Sequence, residues 1–324
     1  PTGAGVIMKG KQQDDRHVFW PWDHAWVVEH WLRHVKFRHL LLLESELWPE
    51  MCCQLSAKGV NIWLVNARLS SRSMKRHQKF PWLLNMIKES ISGIYPESEQ
   101  SAKRFEALNM PLATDCFSSI KFGQARPSID DQLVHQIKKQ KKKPMVVVAS
   151  THEGEEQLII EALQSQLDDM HLVVVPRHPH RVAGLLNQCS KAALFQPGIN
   201  MNASIWMVSS MGQLGTWFEV ADVIIMGGSY QQIGGHNPLE ALWPGVPVIV
   251  GPHVAHFIDM YTDLARRQWV WPVGLTQLGF WLRCCLDHRD KIAINQRCFD
   301  DYMGNHQKKL SYLLRDIEKS LTKC

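Results

Sequence analysis

The chain has 324 residues, 45% of them apolar and 21% charged, with a formal net charge of +5. That is the make-up of a folded globular protein with room for two domains. No run of about 18 apolar residues is present, which excludes a spanning helix, and so mild a charge does not mark a nucleic-acid binder.

The eight cysteines include the adjacent pairs Cys52-Cys53 and Cys284-Cys285. Neither pair has zinc or redox spacing, so reduced, half-buried thiols are expected. No secretory signal is read at the start. The opening Pro1-Thr2-Gly3, without a methionine, reads as part of a longer protein.

In chain order, apolar runs at 18–20, 40–43, 62–65 and 93–95 are expected as a first series of strands. A polar, Lys-rich stretch follows near 123–144, with Gly123, Pro127 and the run Lys138-Lys139-Gln140-Lys141-Lys142-Lys143. It reads as a solvated linker or, alternatively, as a contact for an anionic membrane surface. A second series of strands is expected at 146–149, 172–175, 205–208, 223–226 and 246–250. Helical segments are read at 153–167, 211–220 and 237–243. The stretch 290–324 reads helical, with Leu310, Leu313, Leu314 and Ile317 at helical spacing. Strands alternating with helices predict parallel sheets covered on both faces. The expected layout is an N-terminal α/β domain at 1–125, a linker at 126–144, a C-terminal α/β domain at 145–290 and a helical tail at 291–324. Ligands of such domains bind beyond the strand C-termini.

The polar candidates fall at those strand ends. Glu44 and Glu46 follow the second run; one faces the site while the other caps a helix, or both are simply acids favoured by a helix dipole. Residues 66–73, Asn-Ala-Arg-Leu-Ser-Ser-Arg-Ser, offer donors or a solvated loop. Lys121, in Ser118-Ser119-Ile120-Lys121-Phe122-Gly123, is placed to meet a developing negative charge, or is merely exposed. Ser150 and Glu153 have capping-box spacing. Arg177 can pair bidentately with a phosphate. His178 and His180 lack an identifiable third ligand for a metal. Ser209-Ser210-Met211-Gly212-Gln213 reads as a strand-to-helix turn. In Gly234-Gly235-His236-Asn237-Pro238-Leu239-Glu240, Asn237 suits an N-cap, Pro238 the first helical position and Glu240 a capping box. The glycines there let backbone N–H groups approach a phosphate. An ordinary capped helix is the plainer reading.

Taken together and in this order, these motifs resemble the bacterial 3-deoxy-D-manno-octulosonic acid (Kdo) transferases. The resemblance runs from Pro1 to about Leu286. It is carried by Glu44-Ser45-Glu46-Leu47-Trp48-Pro49, Asn66-Ala67-Arg68-Leu69-Ser70, Ser119-Ile120-Lys121-Phe122, Ser150-Thr151-His152-Glu153-Gly154-Glu155-Glu156, Pro176-Arg177-His178-Pro179 and the 234–240 segment. It implies a GT-B glycosyltransferase with two Rossmann-like domains facing across a cleft. The implied donor is CMP-Kdo, a substrate rather than a cofactor, and the implied acceptor a lipid A precursor. The implied place is the cytoplasmic face of the inner membrane, in lipopolysaccharide biosynthesis. Pro176, Arg177, Met211, Gly212, Gln213, Asn237, Pro238, Leu239 and Glu240 match CMP-contact positions. Glu44 and Lys121 match positions assigned to transition-state stabilisation. No metal site is implied.

Three departures stand out. The Ser-Val-Gly-Glu-like motif bearing the family's general base is not found, so the chain is expected to lack the first strand and that base, with impaired transfer. Gln213 stands where a glutamate is usual, and Ser209-Ser210 replaces an Asp-Thr-like pair. His180 replaces a glutamate. The competing expectations are a GT-B enzyme using another nucleotide sugar, and a non-catalytic CMP-binding remnant.

Overall fold

A computed structural model describes residues 19–198, 202–210 and 212–322. The chain divides into two compact units. One comprises the described residues up to Ile120 together with those from Lys309 onward; the other runs from Lys121 to Lys308.

The first unit holds a parallel sheet of β1 (His39–Leu43), β2 (Asn61–Ala67) and β3 (Gly93–Pro96), in that order. Leu40 pairs with Ile62, and Leu64 with Ile94. Helices Ala25–Leu32, Pro49–Ala57, Pro81–Ser90 and Glu99–Ala107 bury Val28, Met51, Leu55, Ile87 and Phe105 against Leu42, Ile62, Leu64 and Ile94. β1 is the outermost strand of this sheet among the described residues. Its residues alternate: Leu42 is 5% exposed, whereas Leu41 and Leu43 are 44% and 52% exposed. The expected strand at 18–20 does not form at Phe19 and Trp20; Val18 lies outside the described residues. Trp20 instead packs on Trp31, their ring centres 5.8 Å apart, and Pro21 removes a ladder donor.

The second unit is a seven-stranded parallel sheet in the order β10-β9-β8-β4-β5-β7-β6. Its strands are β4 (Met145–Thr151), β5 (His171–Pro176), β6 (Ala192–Leu194), β7 (Ile205–Met207), β8 (Val223–Met226), β9 (Val248–Val250) and β10 (Val270–Pro272). The apolar runs are continuous because both faces are covered. Met145, Val147 and Ala149 of β4 enter one core with Trp206 and Trp217, while Val146 and Val148 enter the other with Ile159 and Leu172. β6 and β10 were not expected from the sequence.

The Lys-rich stretch carries the helix Asp131–Gln140. The Asp130 side chain caps it by accepting from the Leu133 N–H, and Leu133, Val134 and Ile137 are buried. The final helix, Gln296–Thr322, presents Leu313 and Ile317 to Val65 and Tyr95 within the first unit, and Tyr95 donates to Asp316 Oδ2 at 3.2 Å. Of the four apolar residues picked by spacing, Leu310, Leu313 and Ile317 are buried and Leu314 is exposed.

Candidate functional site

The polar shell of the second unit starts where β4 stops. Ser150 adopts φ +58°, and the pairing of β4 with β5 shifts register between Ala149 and Thr151. A bulge of this kind bends the strand and re-aims the residues at its end. The chain then turns at Gly154, φ +84°, the N-cap of helix Glu155–Ala162. Glycine offers no capping side chain. No side chain caps the helix; Glu155, its first residue, reaches back instead, its Oε2 accepting from the His152 N–H at 2.9 Å. The capping box expected of Ser150 and Glu153 does not form, because the N-cap is Gly154.

Glu155 does more than hold the His152 N–H. It is fully buried, and its carboxylate also accepts from the backbone N–H groups of Gly228 at 2.6 Å, Ser229 at 3.0 Å and Tyr230 at 2.8 Å. Ser229 Oγ donates to the Met226 carbonyl at 2.6 Å and accepts from the Gly251 N–H at 2.8 Å. Glu156, 1% exposed, accepts from Thr151 Oγ1 at 2.7 Å and from both terminal nitrogens of Arg181 at 2.8 and 3.1 Å. Sequence reading assigned neither glutamate a role. The only local signal was two acids opening a helix.

Two histidines join the loops after β4 and β8. His152 and His236 stack with ring centres 5.1 Å apart, and their Nε2 atoms are 2.9 Å apart. Burial, the neighbouring His152 and the Arg177 charge push His236 down to about 4. Burial likewise lowers His152, with His178 and Arg177 adding to the effect against an opposing pull from Glu155. The His236 ring fills the space beside Gly228, where a Cβ would lie 2.7 Å from it.

Among the residues expected to contact the donor, Pro176 ends β5 and is buried. Arg177 is the next residue, exposed, its N–H donating to the Thr151 carbonyl at 3.0 Å. Among the described residues no carboxylate pairs with the Arg177 guanidinium. Met211 lies outside the described residues. Gly212 adopts φ +79°. Gln213 accepts from Ser210 Oγ at 2.6 Å, so two of the departures from the family pattern bond to each other. Asn237 does not act as the N-cap: Pro238 holds that place, and Asn237 Oδ1 accepts from the Leu239 N–H at 3.2 Å. Glu240 forms no capping box either. It accepts from Gln124 Nε2, while Gln124 Oε1 accepts from Asn237 Nδ2 at 2.8 Å. The helix they open, Leu239–Leu242, has four residues, too few aligned peptides for a sizeable dipole.

Glu44 belongs to the first unit. It comes directly after β1 with φ +60°, exposed, its N–H donating to the Val65 carbonyl at 3.1 Å. Lys121, the first residue of the second unit, sits in the 3₁₀ turn Ile120–Gly123, its ammonium 4.2 Å from the centre of the Phe257 ring.

The sequence profile of the 3-deoxy-D-manno-octulosonic-acid transferases (kdotransferases) matches residues 1–124. The 3-deoxy-D-manno-octulosonic acid transferase of Haemophilus influenzae is 30% identical, over 85% of this chain and 67% of its own length. That of Rickettsia typhi is 32% identical, over 82% of this chain and 59% of its own length. The chain therefore spans about three fifths to two thirds of these relatives. Among solved structures, the UDP-GlcNAc 2-epimerase of Neisseria meningitidis bound to UDP-GlcNAc superposes with a TM-score of 0.60 at 11% identity, covering 98% of this chain and 88% of that one. This likeness is one of fold: parallel α/β units of the Rossmann-like, GT-B class. By sequence, the chain belongs to the family of the 3-deoxy-D-manno-octulosonic acid transferases.

Proposed function

We propose that the second unit is the donor side of a transferase that moves Kdo from CMP-Kdo to a lipid A precursor, with inversion, in lipopolysaccharide biosynthesis. The observation that carries the reading is Arg177. It is an exposed guanidinium with no carboxylate partner among the described residues, set at the C-terminal end of β5 between the loops of β4 and β7. Such a group suits the single phosphate of CMP. Pro176, Met211, Gly212, Gln213 and residues 237–240 complete the proposed contacts. Departure of CMP leaves negative charge on its phosphate and positive charge on the sugar's anomeric carbon. Arg177 and Lys121 of the second unit answer the first. No Ser-Val-Gly-Glu-like motif occurs in this sequence, so the base that would deprotonate the acceptor hydroxyl is assigned to none of its residues.

Donor binding is therefore the direct test. Calorimetric titration with CMP is expected to give saturable binding, weakened about tenfold or more in Arg177→Ala, the loss of a charged hydrogen-bonding partner. UDP should compete poorly. Tight UDP binding with no response to CMP would replace this reading with another nucleotide-sugar donor.

We also infer that the first unit touches an anionic bilayer, where a lipid-borne acceptor resides. No helix among the described residues is long and apolar enough to cross a membrane. The helix Ser71–Lys79 exposes Arg72, Lys75, Arg76 and Lys79 and contains no acid, and Phe80 and Trp82 lie just beyond it at 49% and 64% exposure. Basic residues beside exposed aromatics suit a lipid interface. Flotation with phosphatidylglycerol vesicles should recover the protein. Lys75→Glu/Arg76→Glu should cut the bound fraction about tenfold or more. Equal binding to phosphatidylcholine would count against the surface.

A further inference from the structure

The turn after β8 is built around an anion supplied by the chain itself. Three successive backbone N–H groups, of Gly228, Ser229 and Tyr230, converge on the Glu155 carboxylate, and the His152 N–H is a fourth. Gly228 provides the left-handed step, φ +68°, that lets consecutive N–H groups point the same way. Successive N–H groups so arranged form a concave anion nest of the kind that elsewhere holds phosphate. Here it is filled from within, by a side chain with no solvent exposure.

One main-chain bond ties the anchored turn to Gly235, and the His236 ring packs on Gly228; residues 256 and 261 hold the flanks. The Gly235 N–H donates to the Gly228 carbonyl at 2.8 Å, and the His256 N–H to the Gly234 carbonyl at 2.8 Å. Tyr261 Oη donates to the His236 carbonyl at 2.9 Å. The next residues, 237–240, are the proposed nucleotide contacts. The order imposed at Gly228 thus reaches the residue before Asn237.

We propose that Glu155 is a positioning residue, the permanent ligand of an anion nest formed by His152, Gly228, Ser229 and Tyr230, and that its occupancy sets residues 234–240 for CMP. The second clause rests on the donor-site reading above; the first does not. One consequence is that the nest is closed to the donor's phosphate, which leaves that charge to Arg177.

Three variants test it: Glu155→Gln, which keeps shape and loses the charge; Glu155→Asp, which keeps the charge; and Glu155→Ala, which leaves room for an acetate ion. Amide hydrogen exchange across 227–236 is read without nucleotide, and CMP affinity is read by calorimetry. In Glu155→Gln, exchange in this segment is expected to rise about tenfold or more while β4 and β5 stay protected, because buried donors lose their acceptor. CMP affinity should fall by a similar factor. Glu155→Asp should recover part of both. For Glu155→Ala, acetate but not chloride at equal ionic strength should restore slow exchange and affinity together. If that variant does not fold, acetate present during refolding should recover it.

Unchanged exchange in folded Glu155→Gln, or equal rescue by chloride and acetate, would overturn the nest. Raised exchange with unaltered CMP affinity would confine Glu155 to a structural role and overturn the positioning claim. Wild-type protein that fails to bind CMP, alongside acetate-reversed exchange in Glu155→Ala, would sink the donor-site reading and leave the nest standing.

Discussion

Arg181→Met is expected to destabilise the second unit by about 4 kcal/mol, one of the largest single losses available in this chain. The reason lies in what it strands. The Glu156 side chain is 1% exposed and that of Arg181 is 16% exposed, and two parallel bonds of 2.8 and 3.1 Å join them. Thr151 Oγ1 alone would then face a carboxylate sealed from water. A buried charge pair contributes little in total, since desolvation offsets the attraction, but removing one partner leaves the full cost of the other. Urea unfolding of the second unit measures it. Arg181→Met/Glu156→Leu should recover most of the loss. A single-variant effect below about 1 kcal/mol would mean the pair behaves as a solvated surface bridge.

Gly251→Ala should cost about 3 kcal/mol and also weaken CMP binding, because the added methyl has nowhere to go. A Cβ at Gly251 would press on the Ser229 carbonyl oxygen, with the carbonyl carbon at 2.6 Å and the Tyr230 nitrogen at 2.9 Å. All three are backbone atoms, so no rotamer change relieves the overlap. The turn must move, and with it the bond from the Gly251 N–H to Ser229 Oγ and the N–H groups that hold Glu155. The contrasting substitution is Gly184→Ala, where nothing lies within 4 Å of the new atom and stability should hold or rise. Thermal unfolding of the two variants side by side decides the matter. Similar midpoints would show that the Ser229 turn yields readily.

Much of this architecture is legible in the sequence because parallel strands covered on both faces read as unbroken apolar runs; β4 and β5 are examples. β6 and β10 escape that reading. Each has three residues, one largely alanine and the other ending in Pro272, so neither gives a run long enough to register. At the candidate site the hydrogen-bond wiring was not legible. Strand ends pointed to Arg177 and the 234–240 turn. Three of the four backbone contacts of Glu155 lie 73 to 75 residues away along the chain, beyond any local pattern. Ser150 misled because its spacing to Glu153 suits a capping box, whereas the bulge puts it at φ +58°, outside the extended conformation an N-cap needs. At Asn237 the motif was right to within one residue, and the difference moved Glu240 from a cap to Gln124.

The uncovered leucines of β1 have a consequence in colloidal terms. Five residues, His-Leu-Leu-Leu-Leu, run along a sheet edge with no lysine, proline or inward charge to blunt it, and no strand lies on its outer side among the described residues. Two such edges meeting attract over a few ångströms through main-chain bonds and apolar contact. The opposing force is a formal charge of +5 spread over 324 residues. Salt at physiological strength screens that repulsion within about 8 Å. Solubility of this chain should therefore fall, rather than rise, as salt is added.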